Sequence, residues 1–257
     1  MPANGSLSRH LHVSCANAEH AAGEAPVLPA PPKFYSTFDW MTPLLRIDNT
    51  TRGAWRGVYG SKGHVLFGCW NASWAQRLPA PIVNLTTTYF QEGCWTSNAT
   101  GHPKEASALQ PPPGAPAATP PALGMYGSHA QLSGYIQLNF AQGQARQGPG
   151  AAAHATHACF NVTLYVCDWD GNNSVLTGGG SNNRRRMGVD VLAPPTMDPA
   201  FATAVLNNEP AGEAPHGLGQ GQHLTFRVCD PRLDVGVRFK FWSVFGLNSV
   251  VSAIFFD

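Results

Sequence analysis

Asp168 and Asp170 flank Trp169 in the segment Leu164-Tyr165-Val166-Cys167-Asp168-Trp169-Asp170. On an extended strand, side chains two apart share a face, so the two carboxylates point one way and the indole the other. One chemistry open to such a pair is Ca²⁺ binding. A hard cation takes about six to eight oxygens, and Asn172, Asn173 and Ser174 follow closely enough to supply some. A second is acid/base work on a glycosidic bond, which needs two carboxyl groups about 5–10 Å apart across a cleft. Adjacent residues on one strand do not establish that cleft. Two structural uses compete: the carboxylates cap a strand end ahead of the Asp170-Gly171 turn, or they pair with Arg185 or Arg186.

The second chemistry-bearing set is aromatic. Trp55 and Tyr59 sit among Gly53, Gly57 and Gly60. Aromatic faces stack on the apolar faces of sugar rings, and glycines let a ligand approach the backbone. The competing reading is a Gly-bent edge strand with both rings in the core. Trp70, Trp74 and Trp95 lie in polar, loop-like sequence and are expected to be more exposed; either they form a sugar platform at the end of the fold, or long loops cover them.

Other motifs carry little. His154 and His157 have helical spacing in a Gly/Ala/Pro context that offers no helix. No G-x-S-x-G elbow follows a strand, so Ser/His/Asp hydrolysis has no support. No G-x-x-x-x-G-K-[ST] loop is present, and Gly178-Gly179-Gly180 lacks a strand–loop–helix setting.

The six cysteines are even in number and form no C-x-x-C pair, so a disulfide framework is a better reading than a zinc ribbon. Cys69 and Cys94 bracket one strand and are placed to staple its loops. Cys167 and Cys229 either pair or act as small buried residues. Asn-x-Ser/Thr sequons begin at Asn4, Asn49, Asn71, Asn84, Asn98, Asn161 and Asn172, with Asn71, Asn84, Asn98 and Asn161 the candidate acceptors. Both features point to an extracellular or cell-wall-associated chain. The first 30 residues show no apolar signal-type run, which points the other way.

The elements that must position these groups are strands. Residues 134–140 alternate Ile136, Leu138 and Phe140 against Gln137 and Asn139. Residues 160–170 and 222–229 alternate in the same way, as do residues 235–244 with Val237, Phe239 and Phe241. Ile82 to Phe90 places Val83, Leu85, Thr87 and Tyr89 on one face. Eight to ten short strands without an amphipathic helix predict an all-β, antiparallel jelly-roll sandwich over residues 35–257. The alternation implies that each sheet has one face in solvent. Residues 1–34 read as a disordered leader or linker. Four disordered insertions are expected, near 101–124 (with Pro111-Pro112-Pro113), 142–155, 178–183 and 207–220.

Composition narrows the class. Lys and Arg total 16 against 15 Asp and Glu, for a net charge of +1, so nothing draws a nucleic-acid backbone. No 18-residue apolar stretch exists to span a membrane.

Three stretches resemble a C-terminal module found beside glycoside hydrolases in multidomain bacterial proteins. Asp48-Asn49-Thr50-Thr51-Arg52-Gly53-Ala54-Trp55-Arg56-Gly57-Val58-Tyr59-Gly60-Ser61-Lys62-Gly63-His64-Val65-Leu66 is similar to its D-x-T-x-G-x-W-x-G-x-Y-G-x-x-G-Y-x-L opening, with His64 where the family has an aromatic residue. Residues 164–170, followed by Arg185-Arg186 and Val189-Asp190-Val191, look like its L-Y-x-x-D-W-D … R … V-x-V segment. Residues 246–257 resemble its G-x-N-A-V-L-S-G-x-F-F-D ending. The resemblance implies a galactose-binding-like jelly roll and carries no binding residues with it. The expected function is a non-catalytic carbohydrate-binding module. The alternatives are an accessory sandwich with no small ligand, packing on a partner domain, and, least supported, a glycosidase or lyase. No cofactor is expected beyond the Ca²⁺ that Asp168 and Asp170 would hold.

Overall fold

The computed structural model describes residues 44–80, 82–102, 104–128, 133–140, 159–169, 185–192, 202–207, 218–229, 236–245 and 248–257. The chain divides into a segment Met1–Thr37 and a body Phe38–Asp257. The expected leader, the insertions at 142–155 and 178–183 and most of that at 207–220 lie outside the described residues.

Among the described residues fourteen strands form: β1 (Leu44–Asp48), β2 (Gly63–Leu66), β3 (Gln76–Arg77), β4 (Ile82–Thr88), β5 (Phe90–Thr96), β6 (Leu123–Ser128), β7 (Gly134–Phe140), β8 (Cys159–Val166), β9 (Arg186–Leu192), β10 (Ala202–Asn207), β11 (Gln222–Cys229), β12 (Val237–Phe245), β13 (Val250–Val251) and β14 (Ala253–Phe256), with one short α-helix, α1 (Ala72–Ala75). They build a six-stranded sheet in the order β1-β11-β8-β14-β2-β3, a five-stranded sheet β10-β9-β12-β7-β4 and a three-stranded sheet β13-β6-β5, and every paired ladder is antiparallel. The chain is therefore the antiparallel β-sandwich that its period-two pattern requires.

The main core lies where the apolar stripes meet. Val162, Leu164 and Val166 of β8 and Leu224, Phe226 and Val228 of β11 pack with Ile136 and Leu138 of β7 and Phe239 and Phe241 of β12. The five-stranded sheet keeps the expected one-sided pattern: β7 alternates strictly between buried and half-buried positions.

The six-stranded sheet departs from the expectation of a solvated outer face. β2 and β14 are buried at every residue. Its second face carries His64, Thr163, Tyr165, His223, Thr225 and Phe255, all buried. A layer of loops covers it and makes a second core of Trp55, Tyr59, Trp70, Leu109, Leu123, Tyr165, Trp169 and Phe255. Polar residues survive there because they find partners. The Thr163 and Thr225 hydroxyls bond at 2.9 Å, and the Tyr165 hydroxyl donates to the Ser107 carbonyl at 2.7 Å.

The Pro-rich stretch is part of this covering layer, which corrects its reading as a solvated insertion. Ser107, Ala108, Leu109, Pro112 and Ala122 are buried, and Leu109 and Ala122 form an antiparallel bridge that closes the loop. Strand β6 starts inside the expected insertion. Proline forbids a ladder only where an N–H is needed, and here the apolar stems, not the prolines, do the pairing.

Strand β4 carries a register irregularity between Ile82 and Asn84, which places Val83 outside the expected face; it is 57% exposed. Leu85 still packs on the core. Tyr89 adopts φ 60°, which ends β4 and leaves its ring 58% exposed.

Candidate functional site

Asp168 is fully buried in an ion pair. One of its oxygens accepts from the Arg185 guanidinium and the other from the Arg185 backbone N–H at 3.0 Å. The Arg185 Nε donates to Asn248 Oδ1 at 2.8 Å, and its guanidinium lies 5.7 Å from the centre of the Trp95 ring. This is the Arg-pairing use of the carboxylate. With one oxygen paired to the guanidinium and the other held by the Arg185 backbone N–H, Asp168 is a poor Ca²⁺ ligand. Asp170 lies outside the described residues, and among those described no three His, Cys, Asp or Glu side chains gather as a metal site.

The aromatic candidates separate. Trp55 and Tyr59 are 2% and 4% exposed. Trp55 stacks on Phe255 at 4.8 Å and its Nε1 donates to the Gln110 carbonyl at 2.9 Å. Tyr59 stacks on His223 at 4.4 Å. Trp70, expected among the exposed rings, is buried; Trp74 and Trp95 are half-buried against the second core. Trp55, Tyr59 and Trp70 are therefore core rings, while Trp74 and Trp95 keep part of their surface exposed.

The first motif folds around Asp48. Its carboxylate accepts from Thr50 N and Oγ1, from Thr51 N and Oγ1, and from the Tyr59 hydroxyl at 2.7 Å. Partial burial pushes its pKa up, but these bonds outweigh burial and hold the carboxyl below the usual carboxylate range. Burial first, and then the bond to Asp48, push the Tyr59 phenol above its ordinary value. His223 is buried beneath Tyr59, with Nε2 2.6 Å from the Arg52 carbonyl and Nδ1 without a partner. Burial lowers its pKa from 6.5 to about 4, against the opposing pull of that carbonyl and of Asp48.

The same motif continues as a loop with Gly57 and Gly60 at φ 79° and 75°, a conformation other residues adopt only under strain. Gly60 and Ser61 donate backbone N–H groups to the Asp257 carboxylate at 3.1 and 2.8 Å. The loop borders an open cleft of about 360 Å³, lined also by Arg77 and Pro113.

A different surface emerges on the five-stranded sheet. Across β4, β7 and β12 the outward residues stand in register: Asn84 opposite Asn139, Thr86 opposite Gln137, Thr88 opposite Tyr135, Arg238 opposite Gln137 and Lys240 opposite Tyr135. They are joined. Arg238 donates through Nε to Gln137 Oε1 at 3.0 Å, Gln137 Nε2 to Asn139 Oδ1 at 2.7 Å, and Asn139 Nδ2 to Asn84 Oδ1 at 2.6 Å. The Arg238 guanidinium lies 5.9 Å from the Tyr135 ring centre, and Tyr89 meets Tyr135 edge-on at 6.4 Å. Further along, Trp242 lies over Gly188, where any Cβ would overlap the indole. Apart from Asn84, singled out only as a sequon, these residues were not expected as a site because outward polar positions on a strand read as ordinary solvated surface. The signal available was the row of amides, Asn84, Gln137 and Asn139, recurring at outward positions of separate strands.

Cys69 and Cys94 form the expected disulfide, closing a separation of 25 residues. Cys159 is also disulfide-bonded, and it stands opposite Cys229 in the β8–β11 ladder. Cys167 is buried on the other face, in the second core. Among the sequons, Asn71, Asn84 and Asn98 are exposed and Asn161 is half-buried; Asn71 also caps α1 by accepting from Ser73 N. No helix among the described residues is long and apolar enough to cross a membrane.

The chain matches no known family model and no curated protein.

Proposed function

We propose that this chain is a non-catalytic carbohydrate-binding module that works outside the cell and takes its glycan on the outer face of the five-stranded sheet. The observation that carries the reading is the ordered row Asn84, Asn139, Gln137 and Arg238 beside Tyr135 and Tyr89. Amides offer donor and acceptor together, the pairing that vicinal sugar hydroxyls require. Side chains already held by one another lose little further freedom on binding. Tyrosine adds an apolar ring with a polar tip. The galactose-binding-like resemblance and the disulfides support the same assignment, since disulfides persist in oxidising compartments.

The test is retention on a panel of insoluble and soluble polysaccharides, comparing the wild-type chain with Tyr135→Ala and Gln137→Ala. Retention that falls about tenfold in either variant, with melting temperatures near wild type, supports the reading. Wild-type passage through the whole panel without delay removes it.

Burial of Trp55, Tyr59 and Trp70 favours a second reading, an accessory sandwich that packs on a partner domain and holds no small ligand. That reading expects no retention of any glycan and a stable complex with the neighbouring domain.

A further inference from the structure

We infer that the loop-end cleft bordered by residues 55–61 is a separate site for an oxyanion borne on a saccharide, a sulfate ester or a uronate carboxylate. The inference stands on observations independent of the sheet face. Among the described residues the charged side chains lining the cleft are Arg56 and Arg77, with no carboxylate beside them. Both arginines are exposed at its rim, where an incoming anion meets them. Arg77 is positioned: its Nη2 donates to the carbonyls of Gly60 at 3.3 Å and Ser61 at 3.0 Å, which sets the guanidinium against the loop. Its remaining N–H groups, on Nε and Nη1, take no part in those two bonds. Lys62, next along the loop and also exposed, adds a third positive charge nearby.

The neighbouring acids are already engaged. Asp48 is held by Thr50, Thr51 and Tyr59, and Asp257 by the backbone N–H groups of Gly60 and Ser61. A chain with net charge +1 has no general attraction for anions, so this concentration of positive charge is local. A planar guanidinium fork matches the oxygens of a sulfate or carboxylate. The volume, about 360 Å³, lies within the range of small-ligand pockets and suits one or two sugar units better than a long chain. Pro113 and Val58, apolar and exposed at the rim, offer contact to the sugar ring that carries the charge.

The test titrates the full chain, by calorimetry at low and moderate salt, with three defined probes: a heparin-derived tetrasaccharide, an oligogalacturonate and cellotetraose. Binding of either acidic probe that weakens with salt, and that falls about tenfold in Arg56→Glu, is expected. Among the described residues the Arg56 side chain makes no hydrogen bond or ion pair, so this variant keeps its fold; Arg77→Gln is the second variant. Heparin binding without oligogalacturonate binding assigns a sulfate, and the converse a uronate. Failure of both acidic probes, or acidic binding unchanged in Arg56→Glu, overturns the inference. Tyr135→Ala must leave the acidic probe's affinity unchanged, which separates this site from the sheet face.

Discussion

Acidification should weaken this fold through His223, and the size of the effect can be worked out. The ring is buried between Tyr59, Tyr165 and Phe255 and stays neutral because burial lowers its pKa from 6.5 to about 4. Between those values the unfolded chain binds a proton that the folded chain does not. Stability therefore rises with pH in that window and falls as pH drops from about 6.5 to 4. Each tenfold change in proton affinity is 1.36 kcal/mol, so the full loss is about 3 kcal/mol, or about 6–12 °C of melting temperature for a domain of this size. The charged groups acting on the ring are Asp48, which favours the proton, and Arg46, which opposes it. The assay is thermal unfolding from pH 7.5 to 4 for wild type and His223→Phe. Phe keeps the stacking and removes the titration, at the expense of the bond to the Arg52 carbonyl. The difference between the two proteins should shrink or reverse toward wild-type disadvantage as pH falls. Parallel curves across the whole range would refute the reasoning.

Other perturbations follow from the same contacts. Arg185→Met takes the guanidinium away from buried Asp168, and should cost about 3–5 kcal/mol by chemical denaturation; Asp168→Leu with Arg185→Met should recover much of that loss, because the pair then leaves together. Trp55→Ala should destabilise by about 3–5 kcal/mol, since the indole is packed on Phe255 and bonded to Gln110; an unchanged melting temperature would show that the ring is not part of the core. Cys69→Ser with Cys94→Ser should lower stability by about 3 kcal/mol, read as the difference between oxidised wild type and variant in urea.

Much of the sandwich was legible because two sheets meeting face to face impose period two on their residues. The ranges read from alternation at 134–140 and 222–229 are β7 and β11 residue for residue. The second core was not legible. Thr163, Tyr165, His223 and Thr225 alternate with apolar residues as a solvated face would, and only the loops folded over them bury them. Loop burial leaves no periodic trace, so the sequence left Trp70 open between a platform and a loop-covered ring, and the stems of the Pro-rich stretch read as solvent-facing. Val83 was misplaced because a single register irregularity reverses the faces of a strand, and a residue string carries no mark of it.

The three family-like motifs take on a physical meaning once their partners are known. Asp48 of the first gathers Tyr59, and the Gly60–Ser61 backbone of the first holds Asp257 of the third. Asp168 of the second pairs with Arg185, which bonds Asn248 of the third. These residues hold one another in place rather than face a ligand. The sheet-face row of amides, built from residues common on any strand surface, does not stand out in the sequence.

Hydroxyl-radical footprinting with and without the best-retained polysaccharide tests the central claim most directly, because it reads individual aromatic side chains. Ligand should protect Tyr135 and Tyr89 and leave Trp55 and Trp70 at their low, buried rates. Protection confined to any other surface, with Tyr135 and Tyr89 oxidised as fast as in the free protein, would contradict it.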